Sequence, residues 1–99
     1  MKLLAVTSCP TGIAHTYMAA EQLQRAAAKL GHTIKVETQG AMGTENRITA
    51  ADLEGVAVVV IAAGIAISGR ERFAGLKVVE VGVQEAIRAP EVCLAQALG

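Results

Sequence analysis

One cysteine near the amino end of the chain opens a segment whose residue types suit phosphoryl chemistry. The segment reads Cys9-Pro10-Thr11-Gly12-Ile13-Ala14-His15-Thr16. An apolar, strand-like run precedes it and a helical apolar pattern begins within it, so Cys9 lies between a strand and the first turn of a helix. The first N–H groups of a helix have no internal partners, and they favour a thiolate over a thiol. We therefore predict that Cys9 is a nucleophile; the alternative is a small buried residue at a strand end.

The residues after the cysteine are predicted to form a cup for a tetrahedral anion. Unpaired amides at a helix N-terminus bind phosphate, and here they would surround the sulfur. The His15 ring is predicted to donate a hydrogen bond to the phosphoryl oxygens and not to act as an acid; the alternative is a histidine that faces water. Such donors stabilise the charge on these oxygens, which predicts a phosphocysteine intermediate. The predicted phosphate-binding residues, which act mainly through backbone amides, are Pro10, Thr11, Gly12, Ile13, Ala14, His15 and Thr16.

Two other phosphate chemistries fit the segment less well. A nucleotide P-loop carries Lys directly after its last glycine, and none follows Gly12, which argues against ATP hydrolysis. A cysteine-dependent tyrosine phosphatase places Arg where this chain has His15, so the bidentate phosphate contact is missing. It also needs an aspartic acid, and the only aspartate is Asp52, which a capping-box pattern already uses. A low-molecular-weight cysteine phosphatase stays open as an alternative.

The remaining cysteine and the histidines predict no metal site. Cys93 lies in a helical apolar pattern, where a cysteine behaves as a small core residue. The potential ligands Cys9, His15, His32 and Cys93 occur singly, without the paired spacing of a zinc site. We expect neither a metal nor a nucleotide cofactor.

Composition limits the other function classes. Nine Lys and Arg balance nine Asp and Glu, which disfavours nucleic acids and membrane surfaces as direct partners. The longest apolar stretch, residues 56–63, is too short to span a bilayer. A chain of 99 residues, 53% of them hydrophobic, is enough for one core. We expect a soluble cytoplasmic protein in which residues 1–99 form a single domain.

Strand and helix patterns alternate along the chain, which predicts a parallel sheet. Right-handed crossovers then give a doubly wound, Rossmann-like α/β fold with a four-stranded parallel sheet in the order 2-1-3-4 and helices on both faces. The second strand is predicted at an edge and the continuously apolar third strand at the centre. Ligands bind such sheets beyond the carboxyl ends of the strands, where Cys9 would lie. The predicted strands are residues 3–6, 33–38, 56–61 and 77–81, and the predicted helices are residues 13–30, 49–55 and 84–98, the last with a kink or a new segment at Pro90.

Other side chains near this end of the sheet also have predicted positions. Tyr17 falls on the apolar stripe of the first helix, which favours core packing. Gln39 and Gly40 end the second strand and form either part of the rim or a simple turn. The charged residues 70–72 (Arg-Glu-Arg) are typical of a solvated face, with partner docking as the second interpretation.

Four segments carry a resemblance to a known family: residues 9–21 (CPTGIAHTYMAAE), 36–40 (VETQG), 45–46 (EN) with Leu53 downstream, and 72–75 (RFAG). Together they resemble the fructose-type enzyme IIB component of the bacterial phosphoenolpyruvate-dependent sugar phosphotransferase system. The resemblance implies a protein-phosphohistidine–sugar phosphotransferase. Cys9 would receive phosphate from a phosphohistidine on the IIA component and pass it to fructose or a fructose-like sugar held by the membrane-embedded IIC component. The protein would then visit the inner face of the membrane through IIC.

One position departs from the family's pattern. Many fructose-type members carry an acidic residue after the Ala-Ala pair, whereas Ala62-Ala63 here leads into Gly64. The lost charge falls on a loop expected near the active rim. A regulatory binding module that has lost transfer activity therefore stays open beside the phosphoryl carrier.

Overall fold

A computed structural model describes residues 1–9, 13–40 and 43–99 of the chain. The strands within these residues are β1 (Lys2–Ser8), β2 (Thr33–Gly40), β3 (Gly43–Glu45), β4 (Val58–Ala63) and β5 (Val78–Val81). The α-helices are α1 (Ile13–Lys29), α2 (Val83–Arg88) and α3 (Pro90–Leu98), and two 3₁₀-helices cover Ala50–Leu53 and Arg70–Phe73. Of the predicted phosphate-binding residues, Pro10, Thr11 and Gly12 lie outside the described residues.

The strands form one sheet in the order β3-β2-β1-β4-β5. β1 pairs in parallel with β2 on one side and β4 on the other, and β4 pairs in parallel with β5. The predicted α/β class and the predicted order of the four parallel strands are confirmed. Because β2 and β4 flank β1, the winding changes direction between β1 and β4, and a crevice opens beyond their carboxyl ends.

The sheet has five strands where the sequence predicts four. β3 falls within a predicted loop and pairs antiparallel with the end of β2, with Thr38 opposite Glu45. The prediction that β2 is an edge strand is therefore wrong for its carboxyl half. All three residues of β3 are exposed, so this strand has no apolar alternation that could reveal it in the sequence.

The first of two cores lies between the sheet and the three α-helices. Leu3 and Ala5 of β1 face this side, because side chains alternate across a strand. Leu23 of α1 is fully buried against them. The small side chains that let α1 approach the sheet are Ala19, Ala20, Ala26 and Ala27. Leu30, which the apolar stripe includes, lies beyond the end of α1 and is exposed.

The second core lies on the opposite face of the sheet. Leu4 and Val6 of β1 point to this side and contact a cluster that contains Ile48 and Phe73. The cover here consists of loops and the two 3₁₀-helices, one of which contributes Phe73. Helical turns therefore cover both faces, as predicted, but every α-helix of the described chain packs on one face.

Two predicted helix boundaries are confirmed. Thr49 and Asp52 form the predicted capping box, although the helix they open is a single 3₁₀ turn. Pro90 begins a separate helix, α3, at the first position, where its missing N–H costs nothing. Cys93 of α3 is buried, as predicted for a small core residue.

Replacing Leu23 with alanine tests the first core. We expect Leu23→Ala to lower the free energy of unfolding by about 3 kcal/mol, because the substitution removes buried methyl groups and leaves a cavity. Urea denaturation measures this change. The exposed neighbour Gln24→Ala is the control, with an expected change of about 0.5 kcal/mol or less. Equal losses in the two variants would contradict the placement of α1.

Candidate functional site

The crevice beyond β1 and β4 contains the predicted nucleophile. Cys9 follows the last residue of β1, and Gly64 follows the last residue of β4. The two strand ends are joined, since the Gly64 amide donates a hydrogen bond to the Ser8 carbonyl at 3.1 Å. Cys9 is thus fixed at the point where a doubly wound sheet binds its ligands.

The sulfur of Cys9 lies close to an imidazole. Cys9 Sγ is 3.7 Å from Nδ1 of His15, which lies in the first turn of α1. Both residues are half-buried, and Cys9 also packs against the edge of the first core. The thiol is therefore neither fully exposed nor enclosed in the core, and it lies beside a side chain predicted to bind phosphate.

The other described members of the predicted phosphate-binding set lie at the start of the same helix. Ile13 begins α1, Ala14 is exposed, and Thr16 is completely buried. The helix start is attached to the end of β1, because Thr7 Oγ1 donates to the Thr16 carbonyl at 3.0 Å. The structure thus brings Ala14, His15 and Thr16 to one helix turn beside Cys9.

The Thr16 hydroxyl is an exception among buried polar groups. Thr16 Oγ1 has no hydrogen-bond partner among the residues that the structure describes. A buried hydroxyl without a partner costs about 1–3 kcal/mol, so such groups are rare unless a ligand uses them. The helix start therefore holds an unused polar group within one turn of His15.

The prediction that Tyr17 packs in the core is wrong. Its ring is half-buried, and its hydroxyl donates to Glu45 Oε1 on β3. This hydrogen bond raises the pKa of Tyr17 above its ordinary value. The hydroxyl lies next to Gly40, where an added Cβ would be 3.6 Å away. Tyr17 lies outside the core because β3 brings the carboxylate of Glu45 within reach of α1.

A buried ion pair lies on the far side of β2 from α1. Glu37 is only 1% exposed, and both of its carboxylate oxygens accept hydrogen bonds from Arg72, at 2.8 and 2.9 Å. The amide of Ile48 also donates to this carboxylate, at 2.8 Å. Burial raises the pKa of Glu37, but the hydrogen bonds of Arg72, Gln39 and Ile48 lower it more, so the pKa lies below its ordinary value.

The sequence did not reveal this pair. Alternation along the second strand predicts a wetter face that includes Glu37, and the Arg-Glu-Arg run predicts a solvated surface. Arg70 and Glu71 are exposed, but the Arg72 side chain turns inward and lies over the Phe73 ring, 4.9 Å from its centroid. The one available signal is that Arg72 precedes an aromatic residue, which is too common to predict burial.

Arg72 also fixes the loop that follows β4. Its side chain donates to the carbonyl of Gly69 at 2.7 Å and to that of Ile48 at 3.0 Å. Gly69 has φ +75°, and a Cβ there would lie 2.8 Å from Arg72 Nε, so glycine is needed both for the backbone and for the close approach. The loop is held by an arginine that is itself held by a buried carboxylate.

A cavity of about 400 Å³ lies between this loop and the end of β5. Its walls include the exposed side chain of Ile65 and the ion pair of Arg70 with Glu80. Residues 1–9, 13–40 and 43–99 hold no cluster of three or more His, Cys, Asp and Glu side chains suited to a metal ion.

Comparison with known proteins defines the class. The family model of the lactose/cellobiose-specific IIB subunit of the sugar phosphotransferase system (PTS) matches residues 4–96. The match covers most of the chain, and the chain belongs to this IIB family. The resemblance to the fructose-type IIB component is confirmed by the relatives described next.

Two curated relatives and one solved structure carry fructose names. The PTS fructose-like EIIB component 2 of Escherichia coli K12 is 44% identical over 95 residues, which are 96% of this chain and 90% of the relative. The fructose-like EIIBC component of the same strain is 49% identical over 90 residues, which are 89% of this chain but only 19% of that protein. The crystal structure of a domain of the fructose-specific IIABC component of Borrelia burgdorferi matches with a TM-score of 0.93 at 39% identity, over 98% of this chain and 92% of that one.

The buried ion pair predicts how stability depends on pH. The pKa of Glu37 is lowered on folding, so its contribution is complete above the ordinary value of 4.5 and is lost as the pH falls through the lower folded value. We expect Glu37→Gln to destabilise the protein by about 3 kcal/mol near neutral pH. The difference from wild type should shrink as the pH falls to about 3.

Urea denaturation at several pH values measures this difference. Glu21→Gln, which removes the carboxylate of an exposed pair with Arg25, is the matched control. It should cost about 0.5 kcal/mol and leave the acid-dependent loss of stability as in wild type. A constant gap between wild type and Glu37→Gln over the whole pH range would contradict the lowered pKa of Glu37.

Proposed function

We propose that this protein is a phosphoryl carrier of a sugar phosphotransferase system, with Cys9 as the carrying residue. Cys9 takes phosphate from a phosphohistidine on the IIA component and gives it to a sugar bound by the membrane IIC component. The observation that carries this proposal is the position of Cys9 Sγ, at the crevice of the sheet and 3.7 Å from His15 Nδ1 in the first turn of α1. Membership of the IIB family supports the proposal.

The transfer consists of two displacements at phosphorus. In the first, the Cys9 thiolate attacks the phosphorus, the S–P bond forms, and the P–N bond to the donor histidine breaks with its electron pair left on the imidazole. In the second, a sugar hydroxyl oxygen attacks the same phosphorus and the S–P bond breaks, which restores the thiolate. The hydroxyl proton leaves to a base on the acceptor side. Both steps move a PO₃ unit whose charge must be stabilised.

The start of α1 supplies that stabilisation. Its first turn contains no acidic residue, so the partial positive charge of the helix N-terminus is not cancelled there. The amides of residues 11–16, the His15 ring and the Thr16 hydroxyl are the proposed donors. The buried Thr16 Oγ1, which has no described partner, supports this role because a phosphoryl oxygen would satisfy it.

The position of the aspartate argues against a phosphatase. Asp52 is bound by Lys35 at 2.7 Å and caps a 3₁₀ turn, and Lys35 pairs with Leu4, five residues before Cys9 on β1. Asp52 therefore serves the opposite end of the sheet and is not placed to protonate a leaving group at Cys9. A phosphocysteine that water hydrolyses poorly suits a carrier.

The proposed sugar is fructose or a fructose-like sugar. The relatives described above support this choice, although the matching family model is named for lactose and cellobiose. One relative joins its IIB and IIC parts in one protein, which supports IIC as the acceptor. No helix among the described residues is long and apolar enough to cross a membrane. The proposed location of the protein during transfer is the cytoplasmic face of the membrane, in contact with IIC.

The second cysteine offers a matched control for the proposed nucleophile. Incubation with phosphorylated IIA should add one phosphoryl group to wild type and to Cys93→Ala, and none to Cys9→Ala, because Cys93 is buried while Cys9 is only half-buried. Intact-mass analysis reads the result. Phosphate on Cys9→Ala, or none on wild type, would exclude the carrier mechanism. Phosphorylation of Cys9 without transfer to sugar when IIC is supplied would identify the regulatory module.

Thr16 allows a test in which stability and function change in opposite directions. Thr16→Val removes a buried hydroxyl that has no described partner, so the free energy of unfolding should stay equal or rise by about 1 kcal/mol. The rate of phosphorylation of Cys9 should fall about tenfold, because one hydrogen bond to the phosphoryl group is lost. Urea denaturation and quenched-flow mass analysis measure the two effects. A large loss of stability would show that the hydroxyl is already bonded in the free protein.

A further inference from the structure

A ring that consists of hydrogen bonds and the backbone of residues 64–68 lies directly before Cys9 and joins three strand ends. Ser8 Oγ at the end of β1 donates to the Gln39 carbonyl of β2 at 2.8 Å. The Gln39 side chain donates to the Ser68 carbonyl at 2.9 Å and accepts from the Ser68 amide at 2.8 Å. The ring closes where the Gly64 amide, after β4, donates to the Ser8 carbonyl at 3.1 Å.

Gln39 is the member of the ring that joins it to the buried ion pair. Its Nε2 also donates to Glu37 Oε2 at 2.7 Å, so one carboxamide uses both of its N–H donors and its oxygen. These three hydrogen bonds require an amide side chain. A glutamate at this position would have no N–H donor, and its charge would repel that of Glu37. Gln39 thereby connects Ser68 to the buried carboxylate of Glu37.

The loop held by Gln39 is also held by Arg72, which donates to the carbonyls of Gly69 at 2.7 Å and Ser68 at 3.4 Å. Gly64, Ile65, Ala66 and Ser68 are exposed, and only Ile67 of this segment packs against the second core. The loop begins beside the end of β1, where the Gly64 amide bonds the Ser8 carbonyl, and it lines the cavity of about 400 Å³. The hydrogen bonds to Ser8 at one end and to Gln39 at the other contribute to its position relative to Cys9.

We infer that Gln39 is a positioning residue for phosphoryl transfer at Cys9, an inference that rests on the proposed function. By closing the ring through Ser8 and Ser68, Gln39 holds the sulfur and the loop of residues 64–68 at the separation that in-line transfer requires. In-line displacement is sensitive to small errors in position, and a misplacement of about 1 Å costs up to 100-fold in rate. The effect of Gln39 is on the rate at saturating donor and not on donor affinity.

The first experiment compares single and double variants in a Cys93→Ala background. Gln39→Ala breaks the ring at Ser68, and Ser8→Ala breaks it at the Gln39 carbonyl. With phosphorylated IIA as donor, each should lower the rate at saturating donor about tenfold and leave KM within about twofold. Because both act on one ring, the double variant should lose much less than the product of the two effects. Thr44→Ala, at the exposed cross-strand partner of Gln39, is the control and should transfer at the wild-type rate.

The second experiment needs no partner protein. In the same background, iodoacetamide alkylates Cys9 alone, and the rate reports how closely the half-buried thiol is held. Gln39→Ala and Ser8→Ala should raise this rate about threefold or more, because a loosened ring exposes the sulfur. The rate with the small reagent therefore rises while the rate with the phosphoryl donor falls. The urea midpoint of each variant measures general destabilisation. If destabilisation alone raised the alkylation rate, Thr44→Ala, which leaves the ring intact, would show the increase as well.

The outcomes separate the positioning role from the carrier function. An unchanged alkylation rate in Gln39→Ala, a loss that appears only in KM, or an equal loss in Thr44→Ala would each overturn the positioning role. Multiplying effects in the double variant would also overturn it. If wild type accepts no phosphate, the carrier function fails and the catalytic role of Gln39 fails with it, whereas the alkylation rates still show whether the ring holds Cys9.

Discussion

The buried carboxylate of Glu37 is the constraint on which the candidate site depends. A carboxylate that is 1% exposed is tolerated only if it is paired and its oxygens are bonded. Arg72, Gln39 and the Ile48 amide meet this demand from three separate parts of the chain. Satisfying one charge therefore joins β2 to the segment after β3 and to the loop after β4, which begins beside the end of β1.

The arrangement separates the rigid part of the site from its chemistry. The ion pair and the Ser8–Gln39–Ser68 ring are formed by hydrogen bonds that need no ligand. Cys9, by contrast, lies beside the start of α1, where the first amides of a helix have no intrahelical partner and the Thr16 hydroxyl has no partner among the described residues. A carrier needs both properties, since the PO₃ unit must be held by groups already in place but must also leave.

Two groups that a cysteine phosphatase uses, an arginine and an aspartic acid, are not found beside Cys9 among the described residues. His15 stands where a cysteine phosphatase has an arginine, so the bidentate contact that strengthens phosphate binding is absent from the sequence. The single aspartate is used by Lys35 and Thr49 at the other end of the sheet. Both observations support the proposed carrier role, because a cysteine phosphatase uses an arginine to bind the phosphate and an aspartic acid to protonate the leaving group.

The amino-acid sequence alone predicted the α/β class, the order of the four parallel strands, the capping box at Thr49 and Asp52, and the burial of Cys93. These features depend on periodicity and on local rules, which act over a few residues. It also indicated the IIB family, because residues 9–21 form a long and specific segment.

Three features depend on contacts between distant segments: the position of β3, the outward position of Tyr17 and the burial of Glu37 with Arg72. Glu37 and Arg72 are 35 residues apart, and nothing in either local pattern shows that they meet. A charged residue on an alternating strand is solvated unless a distant segment supplies its partner. That partner arrives only when the sheet and the loops after β4 pack together, so the pairing that organises the site is a property of the fold and not of any short stretch of sequence.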